Sequence, residues 1–166
     1  MEPNFTNKEL EKMLEECISE LEALGYELVP ISSIQFTNRN SRYRLGVCKN
    51  DKSFCYFNQI TRKYEGIPTV YIRITGNLRY LPLEMRSNLK TLVMHETIHA
   101  VKAPENISEN ALIYDFATPH GERYDCIKDK VEKFFGYKHI DDNTYFDGLS
   151  EFVMNQYEKN AANARK

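Results

Sequence analysis

Apolar residues near the start of the chain recur at the three- and four-residue spacings of an amphipathic helix. Thr6 or Asn7 can cap this helix, and Gly25 marks its expected end. The apolar face consists of Leu10, Met13, Leu14, Cys17, Ile18, Leu21 and Leu24. The pattern therefore predicts one helix that packs against a core through this face.

Between Glu27 and Thr75 the pattern changes to short runs of β-branched and aromatic residues, which are typical of strands. These runs lie at 28–31, 34–36, 43–48, 54–57 and 69–74. The intervening segment 50–53 reads Asn-Asp-Lys-Ser and supplies turn residues, so we expect an antiparallel hairpin there. The whole region predicts a small, twisted, mostly antiparallel sheet.

Helical spacing returns after Gly76. A helix is expected to begin at 81–82, where Pro82 fits the first turn, and to end by Pro104. Residues 89–101 are apolar on several sides, which indicates a buried helix. Further helices are expected at 108–114, 121–136 and 149–157, followed by a frayed polar tail from Asn160.

These elements predict an α+β fold, with the buried helix packed on the sheet and further helices around it. The length of 166 residues fits a single domain over 1–166, with a core at about 7–136 and a C-terminal helix and tail at 137–166. Apolar residues make up 42% of the chain and charged residues 28%, which is ordinary for a globular protein.

Charge and hydropathy narrow the classes of partner. The formal net charge of -2 gives no overall attraction to nucleic acid or anionic lipid, so binding of a polyanion would need a local basic patch. No apolar run approaches the ~20 residues of a membrane helix, and no secretory leader is recognised. We therefore expect a soluble, cytoplasmic protein with no membrane partner.

The four cysteines form no Cys-x-x-Cys pair, so we expect reduced, mostly structural thiols rather than a zinc ribbon. They are Cys17, Cys48, Cys55 and Cys126. Cys48 and Cys55 could face each other across the predicted hairpin, but two half-buried strand positions are the favoured interpretation.

The candidate chemistry lies at residues 94–99, which read Met-His-Glu-Thr-Ile-His. His95 and His99 are four residues apart, so a helix places both imidazoles on one face, as two ligands of one tetrahedral zinc require. Glu96 is displaced by about 100° around the axis, the position of a general base beside a zinc-bound water. Without a metal or hydrogen-bond partners, burying these groups would cost on the order of several kcal/mol. The sequence therefore predicts a Zn2+ cofactor.

A catalytic zinc usually takes three protein ligands and leaves one position for water. The favoured third ligand is His120, because Pro119 stiffens its approach and Gly121 leaves room beside the metal. The alternatives that stay open are His139, Glu109, Asp115, Glu122 and Asp125.

With these residues in view, the chain resembles the SprT-like zinc metallopeptidases, which include the Spartan proteases of DNA–protein crosslink repair. The family's His-Glu-x-x-His helix and its later His-Gly-x-x-Phe motif match 95–99 and 120–124, with Tyr124 in place of Phe. Segment 44–48 looks like the family's strand with a Gly-x-Cys element, and 69–74 looks like the strand before its active-site helix. The resemblance covers roughly 10–136. Many members also carry a C-terminal cysteine-rich ribbon, whereas no cysteine follows Cys126.

The resemblance implies a zincin-like fold, zinc held by His95, His99 and His120, and Glu96 activating water for attack on a peptide bond. It also implies protein or peptide substrates, including proteins bound to DNA. Segment 38–44, with Lys49 and Lys52, could contact single-stranded nucleic acid, but a solvated hairpin edge is the preferred interpretation.

Two other functions stay open at this stage. The same ligands could serve a zinc hydrolase that acts on a non-protein amide. Alternatively, a fourth ligand such as His139 or Asp125 could close a structural zinc site in a binding module without catalytic activity.

Overall fold

The computed structural model describes residues 2–41, 44–102, 121–138, 140 and 147–165. Within these residues the chain has an α+β fold with four helices and five strands. The helices are α1 (Asn7–Ala23), α2 (Arg86–Ile98), α3 (Glu122–Phe135) and α4 (Asp147–Ala164). The strands are β1 (Ile31–Phe36), β2 (Gly46–Asn50), β3 (Cys55–Asn58), β4 (Lys63–Gly66) and β5 (Val70–Ile74).

Helix α1 matches its prediction at both ends. Thr6 is the N-cap, and the Glu9 carboxylate accepts hydrogen bonds from the backbone N–H and the hydroxyl of Thr6, at 3.2 Å each. Gly25 follows the helix with a φ of 90°, a left-handed conformation that favours glycine. The buried face of the helix consists of Leu10, Met13, Leu14, Cys17 and Leu21.

The main sheet has three strands in the order β1-β5-β2 and is mixed. Strand β5 is central, because it pairs in parallel with β1 and antiparallel with β2. Its residues Val70, Ile72 and Ile74 are fully buried, so one apolar face of the sheet lies against the helices. The α+β class is therefore confirmed, whereas the parallel pair was not foreseen by the prediction of a mostly antiparallel sheet.

The predicted hairpin of 43–48 with 54–57 is wrong. The chain does turn there, since the backbone carbonyl of Asp51 accepts from the N–H groups of Phe54 and Cys55. However, β2 pairs with β5, and β3 pairs with β4 in a separate two-stranded sheet. Cys48 lies opposite Ile72, so pairing with β5 buries the apolar positions of both strands.

Helix α2 is shorter than predicted at both ends. Two 3-10 turns, Gly76–Tyr80 and Leu83–Met85, precede its start at Arg86. Its end at Ile98 is set by distant backbone groups, since Val29 N–H donates to Ala100 and Lys102 N–H donates to Glu27. The chain turns at His99 and Ala100 and then pairs in extended form at Val101, which lies opposite Leu28, so the helix does not continue to Pro104.

Two C-terminal helices agree in place with their predictions. Helix α3 ends at Gly136, which has a φ of 75°. Helix α4 continues to Ala164, so the polar tail expected to fray from Asn160 is helical. The helix expected at 108–114 lies outside the described residues. No helix in the described part of the chain is long and apolar enough to cross a membrane.

The four cysteines are free thiols. Cys17, Cys48 and Cys55 are buried and Cys126 is exposed, and the strands that carry Cys48 and Cys55 do not pair with each other. The sulfurs are therefore part of the core and the surface rather than of a disulfide.

Candidate metal centre

The motif residues lie at the C-terminal end of α2, whereas the predicted helix up to Pro104 would have placed them in its interior. His95 and Glu96 belong to its last turn, and His99 is the C-cap residue that directly follows Ile98. All three are buried, with exposed fractions of 7%, 5% and 8%. Buried imidazole and carboxyl groups are costly unless they have partners, so their surroundings decide what they can do.

His95 is held through its Nδ1 atom. This atom lies 2.8 Å from the hydroxyl oxygen of Tyr124 on α3 and 3.1 Å from the backbone carbonyl oxygen of Ile140. On the other side of the ring, Nε2 lies 3.8 Å from Oε1 of Glu96. The Nε2 edge of the imidazole therefore faces the carboxyl group.

His99 completes a cluster of three rings. The ring centroids of His95 and His99 are 5.4 Å apart, and the ring of Tyr124 lies 4.8 Å from that of His99. The two imidazoles are thus on the same side of the helix end, as the i, i+4 spacing predicts. They meet the first turn of α3 there.

Glu96 lies against β2. A Cβ atom added at Gly46 would be 3.2 Å from both Cγ and Oε1 of Glu96, so only a glycine leaves ordinary space for this side chain. Burial raises the pKa of Glu96 to about 8, and the positive charge of Arg44 opposes this rise. Burial, with the nearby Glu96, also raises the pKa of the Cys48 thiol, which makes a thiolate unfavourable there.

The first turn of α3 is fixed next to the two histidines. The guanidinium of Arg123 donates to the backbone carbonyls of Val101 and Lys102, directly after the helix end that carries His99. Tyr124 contacts both imidazole rings. His120 lies outside the described residues, but it immediately precedes Gly121, the N-cap of α3.

The alternative ligands divide into two groups. Glu122 and Asp125 are in the first turn of α3, and no group of three side chains that could hold a metal ion is found within the described residues. His139, Glu109 and Asp115 lie outside the described residues, as His120 does. The third ligand therefore stays a prediction.

Two contributors to this site were not recognised from the sequence as such. Tyr124 was noted only as a departure from Phe in a motif, and Gly46 only as a part of a strand element. Their contacts join residues that are far apart along the chain. The only signals in the sequence were that Gly46 is a small residue within a strand and that Tyr124 carries a hydroxyl where the motif has Phe.

A groove of about 260 Å³ opens beside Gly46 at the end of the sheet. Three arginines, Arg39, Arg44 and Arg73, are among its lining residues. It overlaps the basic segment 38–44 singled out in the sequence, of which Arg42 and Tyr43 lie outside the described residues. The guanidinium of Arg73 also donates to the hydroxyl of Ser33 at 2.9 Å and so is partly engaged.

The fold and the site together define an α+β protein with two histidines and a glutamate buried at the end of a helix. No family model, curated protein or solved structure was found to match the chain. The functional interpretation therefore depends on the geometry of these residues and on the motif resemblance.

Proposed function

We propose that the chain is a zinc-dependent endopeptidase with a zincin-like active site. The observation that carries the proposal is the position of Glu96: its carboxyl group faces the Nε2 edge of His95 at 3.8 Å, with the imidazole of His99 on the same side of the helix end. A base next to two metal-binding nitrogens is the arrangement that metal-assisted hydrolysis requires.

The residues present fit a zinc ion. Neutral imidazole nitrogen is a preferred zinc ligand, and the Nδ1 atom of His95 is occupied by hydrogen bonds, so its Nε2 is the atom that faces the site. In this proposal His95, His99 and His120 hold the zinc, with His120 as the ligand that the motif resemblance implies. Zinc, when bound, supplies Lewis-acid polarisation of the attacking water and of the peptide carbonyl.

Glu96 is suited to proton transfer. Because burial raises the pKa of its carboxyl group to about 8, the group can both accept and return a proton near neutral pH. It takes the proton of the attacking water and delivers it to the nitrogen of the departing amine, which leaves the water oxygen on the new carboxyl group. Gly46 holds the space in which this carboxyl group sits.

The test compares Glu96→Gln with the wild type, using cleavage of casein or a quenched peptide and measuring bound zinc. We expect cleavage to fall by at least about 100-fold while zinc binding persists, because general acid–base catalysis contributes roughly 10²–10⁴-fold. The matched control is Glu22→Gln, an exposed glutamate on α1, which should cleave normally. Full cleavage by Glu96→Gln would exclude the proposed mechanism.

The same experiment separates the alternative functions. A zinc hydrolase of a non-protein amide would hydrolyse small amides in a Glu96-dependent reaction but leave casein and peptides intact. A structural zinc in a binding module would leave function unchanged in Glu96→Gln, whereas His95→Ala would unfold the domain. A fourth protein ligand would also identify this case.

Proteins bound to DNA are the substrate class that the resemblance implies, and the arginine-lined groove beside Gly46 supports it. Binding of a fluorescent single strand, followed by anisotropy between about 50 and 200 mM salt, tests this point. We expect salt-dependent binding that weakens in Arg39→Ala/Arg44→Ala and persists in Lys8→Ala/Lys12→Ala, two exposed lysines on α1. Absence of binding would remove the DNA association and leave the peptidase proposal intact.

A further inference from the structure

The hydroxyl group of Tyr124 makes two contacts with the same residue. It donates a hydrogen bond to the backbone carbonyl oxygen of His95 at 2.9 Å, and it lies 2.8 Å from Nδ1 of the same histidine. A phenol carries one hydrogen. A carbonyl can only accept, so this hydrogen satisfies it when directed there, and the hydroxyl oxygen is then an acceptor toward Nδ1.

The carbonyl of Ile140 imposes the same condition on the ring. Its oxygen lies 3.1 Å from Nδ1, and a carbonyl can only accept. Its position is fixed in turn, since the N–H of Ile140 donates to the Glu132 carboxylate on α3 at 2.9 Å. With the ring hydrogen on Nδ1, all of these contacts are hydrogen bonds. With it on Nε2, the phenol hydrogen could serve Nδ1 or the carbonyl of His95 but not both, and the carbonyl of Ile140 would face the lone pair of Nδ1.

We propose that Tyr124 is a positioning residue that holds His95 as the Nδ1–H tautomer and so keeps the lone pair of Nε2 directed toward the metal site. This inference rests on the proposed function and deepens it. It also assigns a purpose to the one departure from the motif: a phenylalanine at 124 would keep the ring contact and lose the acceptor.

The carbonyl contact gives Tyr124 a second effect on the same ligand. The Tyr124 hydroxyl donates to the backbone carbonyl of His95, in the last turn of α2. One hydroxyl thus fixes both the backbone and the ring of the same ligand, which limits the directions in which Nε2 can point.

The test uses zinc alone as the probe, with its affinity measured by competition against a chromophoric chelator. We expect Tyr124→Phe to bind zinc about 10-fold more weakly, the lower end of the 10–100-fold range for loss of a partner of a ligating histidine, because Ile140 remains. The matched control is Tyr137→Phe, which removes a hydroxyl bonded to Glu20 at 2.7 Å, away from the two histidines. It should bind zinc as the wild type does.

A second measurement needs no variant. Nitrogen NMR of the metal-free wild type, at a pH at which the imidazole is neutral, should assign the ring hydrogen of His95 to Nδ1, and Tyr124→Phe should shift the population toward the other tautomer. A wild type with the hydrogen on Nε2 would overturn the inference, as would equal zinc affinity in Tyr124→Phe. Failure of the wild type to bind zinc would instead refute the proposed function, and the NMR result would still judge the tautomer.

Discussion

Substituting Gly46 by alanine tests whether β2 sets the position of the general base. The new Cβ atom would lie 3.2 Å from Cγ and Oε1 of Glu96 and 3.3 Å from Cδ1 of Ile74, closer than ordinary van der Waals contact. The neighbours must therefore move by a few tenths of an ångström. The helix backbone restrains Glu96, so its carboxyl group must shift from its position beside His95.

The expected effect on stability is modest. Overpacking of a buried site costs typically ~1–3 kcal/mol, and replacing glycine by alanine recovers ~0.4–1 kcal/mol through the unfolded chain. The free energy of unfolding should thus fall by about 0–2.5 kcal/mol, measured by urea denaturation. Zinc binding should be unchanged, because neither histidine is displaced.

The expected effect of Gly46→Ala on catalysis is larger than its effect on stability. Since a misplacement of about 1 Å can cost 10²-fold, a shift of a few tenths should lower kcat/KM by roughly 10-fold. The control Gly46→Ala/Ile74→Val removes the Cδ1 atom and relieves only the contact with the sheet. If this double variant recovers full activity, or if Gly46→Ala never loses it, Glu96 does not depend on Gly46 and the reasoning fails.

Three further outcomes are expected. A chelator should abolish peptide cleavage, zinc should restore it, and far-UV circular dichroism should not change, because the buried core consists of apolar side chains such as Leu10, Ile72 and Val93. Unfolding on chelation would favour a structural zinc. Gly136→Ala should lower the free energy of unfolding by about 1 kcal/mol. The cause is the φ of 75° alone, since no atom would contact the added Cβ. Gly136→Asn should lower the free energy of unfolding by less, because asparagine tolerates this conformation better. One thiol, Cys126, should react rapidly with a disulfide reagent in the native protein, because the other three cysteines are buried. Burial also raises the pKa of Cys17 to about 12. Two or more rapidly reacting thiols would contradict the described core.

Features set by neighbouring residues were predictable from the sequence. The start of α1 depends on Thr6 and Glu9, which are three residues apart, and the end of α3 depends on Gly136. Both positions could therefore be predicted from neighbouring residues in the sequence. The pairing of His95 with His99 on one side of α2 is also a local consequence of helical spacing.

Features set by residues that are distant along the chain were not predictable from the sequence. The end of α2 depends on backbone bonds with Glu27 and Val29, and the pairing of β2 depends on a strand that begins at Val70. The hydroxyl of Tyr124 meets His95 across 29 residues. Spacing within the motif cannot report such contacts, which is why the side-by-side position of His95 and His99 was predictable and the contacts that hold them were not.

The position of the motif at the end of α2 has an electrostatic consequence. Peptide dipoles in a helix add to a partial negative charge at its C-terminus, where His95 lies in the last turn and His99 is the C-cap. A divalent cation held there would gain about 0.3–1 kcal/mol or more from that field, whereas the middle of a longer helix would offer none. The short α2 thus favours binding of a cation before any ligand bond is counted.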